Sequence, residues 1–512
     1  MLNRRDLLVL GGAGSLCGLM APSRATTSDT TYESFHKNLP LKPWLRLYEG
    51  IRDADTGLTQ CAIEGDWPPD LVGALFRNGP GRMERAGRRY QHWFDGDGLI
   101  QKWSIEPGAK VTHHARLVHT TKYLRDESNN ELSLIGFGTA GDHSIDITGP
   151  DSLNVGNINV LARDDELWAL WEGGSAWRVE PESLKTTGIV ELSTESAGLP
   201  FSAHPRVEPN GTIWNFGYVS HLGALVIWRL DPGVKAPKIS IVQRSPMTIP
   251  HDFVVTDRHL VIPLPPLHYE PNRAVEQTFI DMHVWHSNGS LDLLVMDKND
   301  LERNFIVELP AHWLFHYSNA WEDKEGVIRF EGFRYDDPSL MTAAFSAVMR
   351  GELPQSLSLS QLVQFRVDTR KRRADVEVFD NGFAACEFPS IDQRRSTSRH
   401  EWLTMLVNDS ASNSALQLGL LNGVARVNTS TGEMSRFTYP EREIPEEHIF
   451  VADPKGIDET EGWILGTSLD YVADETHLNV FEIGDTTPEP IARATLARLM
   501  PIGLHGQFVA AT

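Results

Sequence analysis

Cysteine is almost missing. Three occur in 512 residues, Cys17, Cys61 and Cys386, too few for a disulfide framework or a thiolate metal cluster. Basic runs are missing as well: 47 Lys and Arg stand against 69 Asp and Glu, for a net charge of −22 and a pI near 5.3. Such a chain repels phosphate backbones, so nucleic acid is discounted as a partner. No Pro/Ser-rich linker divides the sequence, which argues for one domain. Long apolar runs are confined to Val9 to Met20, shorter than the roughly 20 residues of a spanning helix. Hydrophobic residues at 41% and charged residues at 23% are ordinary globular values and exclude wholesale disorder.

What is present begins with an address. Arg4 and Arg5 precede the apolar stretch, and Ser23-Arg24-Ala25 offers a small-x-small cleavage site, the pattern of a twin-arginine export signal. The expected organisation is a signal over 1–25, a flexible segment over 26–40 and one domain over 41–512. The protein is then periplasmic or secreted. Its removal takes away three arginines and one aspartate, leaving a mature chain near −24.

From about residue 40 the texture is all-β. Short β-prone segments such as Glu166 to Trp171, Gly211 to Phe216 and Gly462 to Thr467 are closed by Gly, Asp, Asn or Pro. One segment differs: Leu340, Met341, Ala344, Phe345, Val348 and Met349 recur at helical spacing and predict a helix over 339–351. It either packs on the β framework or forms an apolar patch at a substrate entrance or a membrane surface.

Four histidines stand in separate motifs: His204 in AHPR, His251 in IPHDF, His316 in FHYSNAW and His505 in GLHGQF. The first three are 47 and 65 residues apart, about one propeller blade each, the second with a loop added. Innermost propeller strands all face one axis, so residues this distant can meet at one point. Four neutral imidazoles leave a dication its full charge and, in octahedral geometry, two open positions. Zinc sites usually close at four ligands or use three and a water, so the set suits Fe(II) with room for O2. His312 is a decoy: it lies four before His316, but Trp313 stands where a zinc-enzyme helix needs its general-base glutamate.

Together with Phe76-Arg77-Asn78-Gly79-Pro80 and the run His92 to Gly98 (HWFDGDG), these motifs resemble the carotenoid cleavage oxygenases from about residue 40 to the C-terminus. The resemblance implies a seven-bladed β-propeller with loops and short helices capping the face over the metal, and Fe(II) on the four histidines. It further implies three supporting glutamates: Glu172 in LWEGG, Glu387 in CEFPSI and Glu447 in EEHIFV, with Glu446 as a one-residue slip of the third. The physical need is to hold each imidazole in one tautomer and to offset the metal charge. HWFDGDG reads as a structural turn.

The implied reaction is cleavage of a C=C bond by O2 to two carbonyl products, with no catalytic side chain beyond the metal centre. Stilbene-cleaving relatives carry a lysine before the first glutamate, where this chain has Trp171. The neighbouring phenol-binding segment is here Arg116-Leu117-Val118-His119. Trp171 and Leu117 are therefore taken as tunnel-wall candidates, and the substrate as a carotenoid- or apocarotenoid-like polyene, drawn up through peripheral membrane contact. Alternatives are a stilbene-type alkene cleaver and a propeller that binds a ligand without turning it over. A quinone-dependent propeller dehydrogenase is disfavoured, since repeated tryptophan blade motifs and a calcium site are not visible.

Overall fold

The computed structural model describes residues 27–132, 136–140, 148–270, 272, 278–354, 357–380, 382–409, 420–483 and 489–511. The expected signal at 1–25 lies outside them.

Seven antiparallel sheets surround one axis. Their innermost strands, in chain order, are Asn159–Arg163, Arg206–Val207, Val254–Val255, Trp313–Glu322, Ala385–Ser390, Glu443–Ala452 and the C-terminal Gly506–Ala510. The fold is a seven-bladed β-propeller. Strands in the middle of blades read as unbroken apolar runs, as in Leu260-Val261-Ile262, all fully buried, because both faces of each blade pack on neighbouring blades rather than on water.

Both chain ends close the ring. Gly506–Ala510 pairs with Gly73–Arg82 as the innermost strand of blade 1, and Ala62–Gly65 pairs with Ala492–Leu496 as the outermost strand of blade 7. The first of these junctions is tight. A Cβ on Gly79 would sit 2.4 Å from Gly503 Cα, so the FRNGP segment can approach the C-terminal segment only because that position is glycine.

Every long insertion leaves the same face. The hairpin and turn over 83–96, the helix Thr121–Asn129, the hairpin Leu267–Tyr269 with His283–Trp285, and the helical segment Leu340–Met349 all follow strands that run toward that face. Leu340–Ala344 is a π-helical turn continued by an α-helix, Phe345–Met349, within the range predicted from its periodicity. Its Met341, Ala344, Val348 and Met349 are buried on the framework. Among the described residues no helix is long and apolar enough to cross a membrane.

Two expectations are corrected here. The segment over 26–40 is not loose: Thr27–Asn38 is a helix whose Phe35 is fully buried under the Arg89 guanidinium, 3.4 Å from the ring centroid. A buried aromatic anchor and the bond from Ser34 Oγ to Arg350 O tie this helix to the rest of the fold. Leu117 is no tunnel residue. It is fully buried in the main core on the fourth strand of blade 1, opposite Leu99 of the third and three strands removed from the innermost one.

HWFDGDG ties the cap to the ring. His92 Nε2 meets Met341 O at 2.8 Å, and Asp95 accepts from Gly138 N and Thr139 Oγ1 at 3.0 and 2.7 Å. Asp97 faces the buried ammonium of Lys122 at 3.2 Å.

Candidate metal centre

The innermost strands of blades 1, 3 and 4 all start at the capped face, and a histidine stands at each start. His505 immediately precedes Gly506, His204 lies two before Arg206, and His251 lies three before Val254. His316 comes from inside the innermost strand of blade 5, where the ladder slips between Leu314 and Tyr317. Equivalent slips fall at Glu387 to Ser390 in blade 6 and at Pro445 to His448 in blade 7. A bulge re-aims a side chain that regular pleating would send elsewhere. Each of these three bulges delivers one polar group to the axis.

The four imidazoles converge. Nε2 of His251 is 3.1 Å from that of His204 and 3.3 Å from that of His316. Ligand atoms of His204, His316 and His505 all lie within 4.8 Å of one another, and the His316 and His505 rings are 4.7 Å apart between centroids. All four are at most 8% exposed.

Behind three of the rings stand carboxylates. His251 Nδ1 contacts Glu172, His316 Nδ1 reaches Glu387 Oε2 at 2.6 Å, and His505 Nδ1 reaches Glu447 Oε1 at 2.9 Å. An ionised carboxylate only accepts, so each Nδ1 carries the proton and each Nε2 presents a lone pair. Bare lone pairs about 3 Å apart repel. The arrangement is at rest only around a cation, and its donors, neutral imidazoles backed by carboxylates, are those a divalent transition metal takes. His204 has no carboxylate on its Nδ1 among the described hydrogen bonds.

Without an ion the electrostatics are mixed: they favour neutral imidazoles at His204 and His316 and an ionised Glu447, but a charged His251 and a protonated Glu387. Burial, followed by the other imidazoles, holds His204 and His316 well below the usual histidine value. At His251 burial acts downward but the Glu172 carboxylate wins and raises it. Burial pushes Glu387 up to about 8 against the lowering from Phe388 N–H; a dication among the imidazoles offsets that cost. Glu447 ends below the usual carboxylate value despite burial, because His505, Arg77 and Gly506 N–H face it.

Glu446 and Glu447 have separate tasks. Glu447 meets His505, and its Oε2 accepts from Gly506 N at 2.7 Å. Glu446 points away, accepting from Thr467 Oγ1 at 2.6 Å and Gly503 N at 2.5 Å. Arg77 joins them, 3.7 Å from Glu446 and 3.6 Å from Glu447, while donating to Glu447 O and Leu504 O. Arg77 belongs to a motif visible in the sequence, but its buried partners lie some 370 residues downstream, and only the ring closure brings them together. Phe388 was equally hidden. It adopts φ +58° and sets its ring 5.4 and 5.3 Å from His316 and His505, a strained backbone held at a site.

Two apolar cavities flank the quartet. The larger, about 300 Å³, is walled by Phe137, Trp171, Glu172, Tyr218 and Phe279 among others. The smaller, about 130 Å³, reaches His251, His316 and His505 and is walled by Phe315, Leu340, Phe345 and Phe388. Phe94 and Ile158 line both, so they form a waist beside the imidazoles. Trp171 is among the residues lining the larger cavity. Leu340 and Phe345 show that the helical segment packs on the framework and also lines the smaller cavity.

Replacing Glu387 or Glu172 with glutamine is expected to lower metal retention or turnover by about 10–100-fold. Glu446→Gln, whose carboxylate meets Thr467 and Gly503 rather than any of the four imidazoles, should stay within about threefold in both. Metal content after dialysis and single-turnover rates check the contrast.

The sequence over residues 52–510 matches the family described as Retinal pigment epithelial membrane protein. It is 28% identical to the apocarotenoid-15,15'-oxygenase of Synechocystis over 508 residues, 94% of this chain and 99% of that one. It is 23% identical to resveratrol cleavage oxygenase 1 of Aspergillus fumigatus, covering 88% of this chain and 92% of that one. The solved structure of cobalt-substituted Synechocystis apocarotenoid oxygenase superposes with a TM-score of 0.82 at 24% identity, over 92% of this chain and 98% of that one, and shares the fold. With the match spanning nearly the whole propeller, the chain belongs to the retinal pigment epithelial membrane protein family of carotenoid cleavage oxygenases, a family of enzymes.

Proposed function

We propose that His204, His251, His316 and His505 bind Fe(II), and that the enzyme cleaves one C=C bond of a carotenoid- or apocarotenoid-like polyene with O2 to give two carbonyl products. The observation that carries this reading is the meeting of four buried imidazoles, three of them backed by carboxylates, beside an apolar cavity that His251, His316 and His505 line. When bound, Fe(II) supplies activation of O2 beside the alkene. The balance closes without a further reductant: the C=C bond breaks, two C=O bonds form, and both oxygen atoms end in products.

The chain's own residues hold and shield. Glu172, Glu387 and Glu447 keep the protons on Nδ1, so that Nε2 stays free. Phe94, Ile158 and Phe388 exclude water and place an elongated apolar chain with one segment on each side of the waist. No proton transfer to substrate is needed, which agrees with the absence of a paired general acid and base among the described cavity residues. Apolar walls and Trp171 favour a polyene over a phenol. Lys122 does border the larger cavity, but its ammonium is committed to Tyr90, Asp97 and Asp126, leaving no free Lys or Arg among the described lining residues to receive a phenolate.

A hydroxystilbene remains the second reading, supported by the resveratrol-cleaving relative. Aerobic incubation of the iron-loaded protein with apocarotenal, carotenoid and hydroxystilbene panels separates the two by the masses of the aldehydes formed. Polyene-derived aldehydes are expected. Products from stilbenes alone overturn the substrate assignment, and no product from any panel overturns the reaction. Export through the segment at 1–25 is part of this proposal: a site assembled from both chain ends suits a route that carries folded proteins. Arg4→Lys with Arg5→Lys should retain the protein in the cytoplasm in cell fractionation.

A further inference from the structure

Each cavity has in its wall a tyrosine committed to a glutamate that already holds an imidazole. Tyr218, near the end of Ile213–Val219, lines the larger cavity together with Glu172, and burial followed by that carboxylate holds its hydroxyl well above the ordinary phenol value. Tyr335, the last residue of Val327–Tyr335, lines the smaller one and donates from Oη to Glu387 Oε1 at 3.2 Å. Both are buried, at 8% and 4% exposure.

The carboxylates they meet need a second partner. Glu172 Oε1 and Glu387 Oε2 face His251 and His316. At Glu387 the phenol takes the remaining oxygen, which otherwise stands bare in an apolar wall; an unmade bond of that kind costs about 1–3 kcal/mol. Glu447 is fixed differently, by Gly506 N–H and Arg77, with no phenol on it.

Resting on the metal-binding reading above, we propose that Tyr218 and Tyr335 are positioning residues: their hydroxyls fix the rotamers of Glu172 and Glu387, and through them the aim of His251 and His316 at the metal. A phenol is then added at two of the three carboxylates, although Glu387 Oε2 also accepts from Phe388 N at 2.8 Å, while Glu447 is held by Gly506 N–H and Arg77. The two relays run through different blades, Tyr218 to Glu172 to His251 across blades 2 to 4 and Tyr335 to Glu387 to His316 across blades 5 and 6, and meet where the two Nε2 atoms are 3.3 Å apart.

The test uses the full chain loaded with Co(II), whose visible ligand-field bands report the donor geometry. Tyr218→Phe and Tyr335→Phe are each expected to shift those bands and to speed release of cobalt to a chelator about 3–10-fold, and the double variant to release it faster than either single one. In the iron form kcat falls while KM for the polyene stays within about twofold. Tyr471→Phe, whose hydroxyl meets Glu441 O at 3.4 Å far from the quartet, should match wild type. Bands and release rates equal to wild type in both variants overturn the proposal. Should Tyr335→Phe fail to fold, the Tyr218→Phe result alone decides. A wild-type chain that takes up no stoichiometric cobalt sinks the metal reading itself, an outcome distinct from cobalt bound identically in all variants.

Discussion

Single replacement of His204, His251, His316 or His505 by alanine is expected to cut turnover by more than about a hundredfold and to leave little bound iron. The estimate is anchored on the glutamates behind the rings: losing such a partner costs about 10–100-fold, and losing the ligand itself costs more. His204 is the most informative of the four. It has no carboxylate among the described hydrogen bonds, so its loss can act only through its Nε2. His312→Ala should retain iron and rate within about twofold. Its ring sits in a separate cleft with Leu314, Phe365 and Arg334, with Nδ1 buried and unpartnered. Iron analysis of five purified variants and initial rates settle the matter; His312 as sensitive as His316 would reject the ligand set.

Replacing Arg77 with methionine is expected to destabilise the folded chain by about 3–5 kcal/mol, the usual cost of stripping one partner from a buried charge cluster. Arg77 is 1% exposed and stands between Glu446, Glu447 and the carbonyls of Glu447 and Leu504. Without it two buried carboxylates, consecutive on the innermost strand of blade 7, lose the cation they share at the junction with blade 1, where the C-terminal strand closes the ring. The damage therefore reaches the metal, because His505 begins that strand and its backbone is clamped to Asn78 by bonds of 2.8 Å on either side. Denaturant unfolding should show a lower midpoint with an unchanged slope, and metal release should accelerate in parallel. A variant with wild-type stability would show that the cluster contributes no net stability to the closure.

The legible parts of this protein share a cause. An imidazole in a short motif, a Gly-rich turn or an apolar residue at helical spacing carries its meaning locally, and these led from the sequence to the quartet, to the turn at HWFDGDG and to a helical segment near 340. The glutamates were less legible. Glu172, Glu387 and Glu447 read as solvated residues until a family pattern assigned them, since nothing local tells a carboxylate at a strand end or a bulge from one in water. Leu117 shows the opposite error: adjacency in sequence to a motif says nothing about which side of a blade a residue faces. The helix at Thr27–Asn38 was missed because its anchor, Phe35 under Arg89, is a tertiary contact.

The amino-acid order alone determined the chemistry on offer: strands without a linker, almost no thiols, an acidic balance and four imidazoles in distinct motifs at blade-sized intervals. Which groups meet was decided by closure of the ring. Only when Gly506–Ala510 lies against Gly73–Arg82 do His505, Glu447 and Arg77 share one place, and only bulges in three innermost strands turn His316, Glu387 and Glu447 to the axis. Local patterning sets what each strand is; the angles at which seven of them converge depend on contacts hundreds of residues apart, and no short window of sequence contains those.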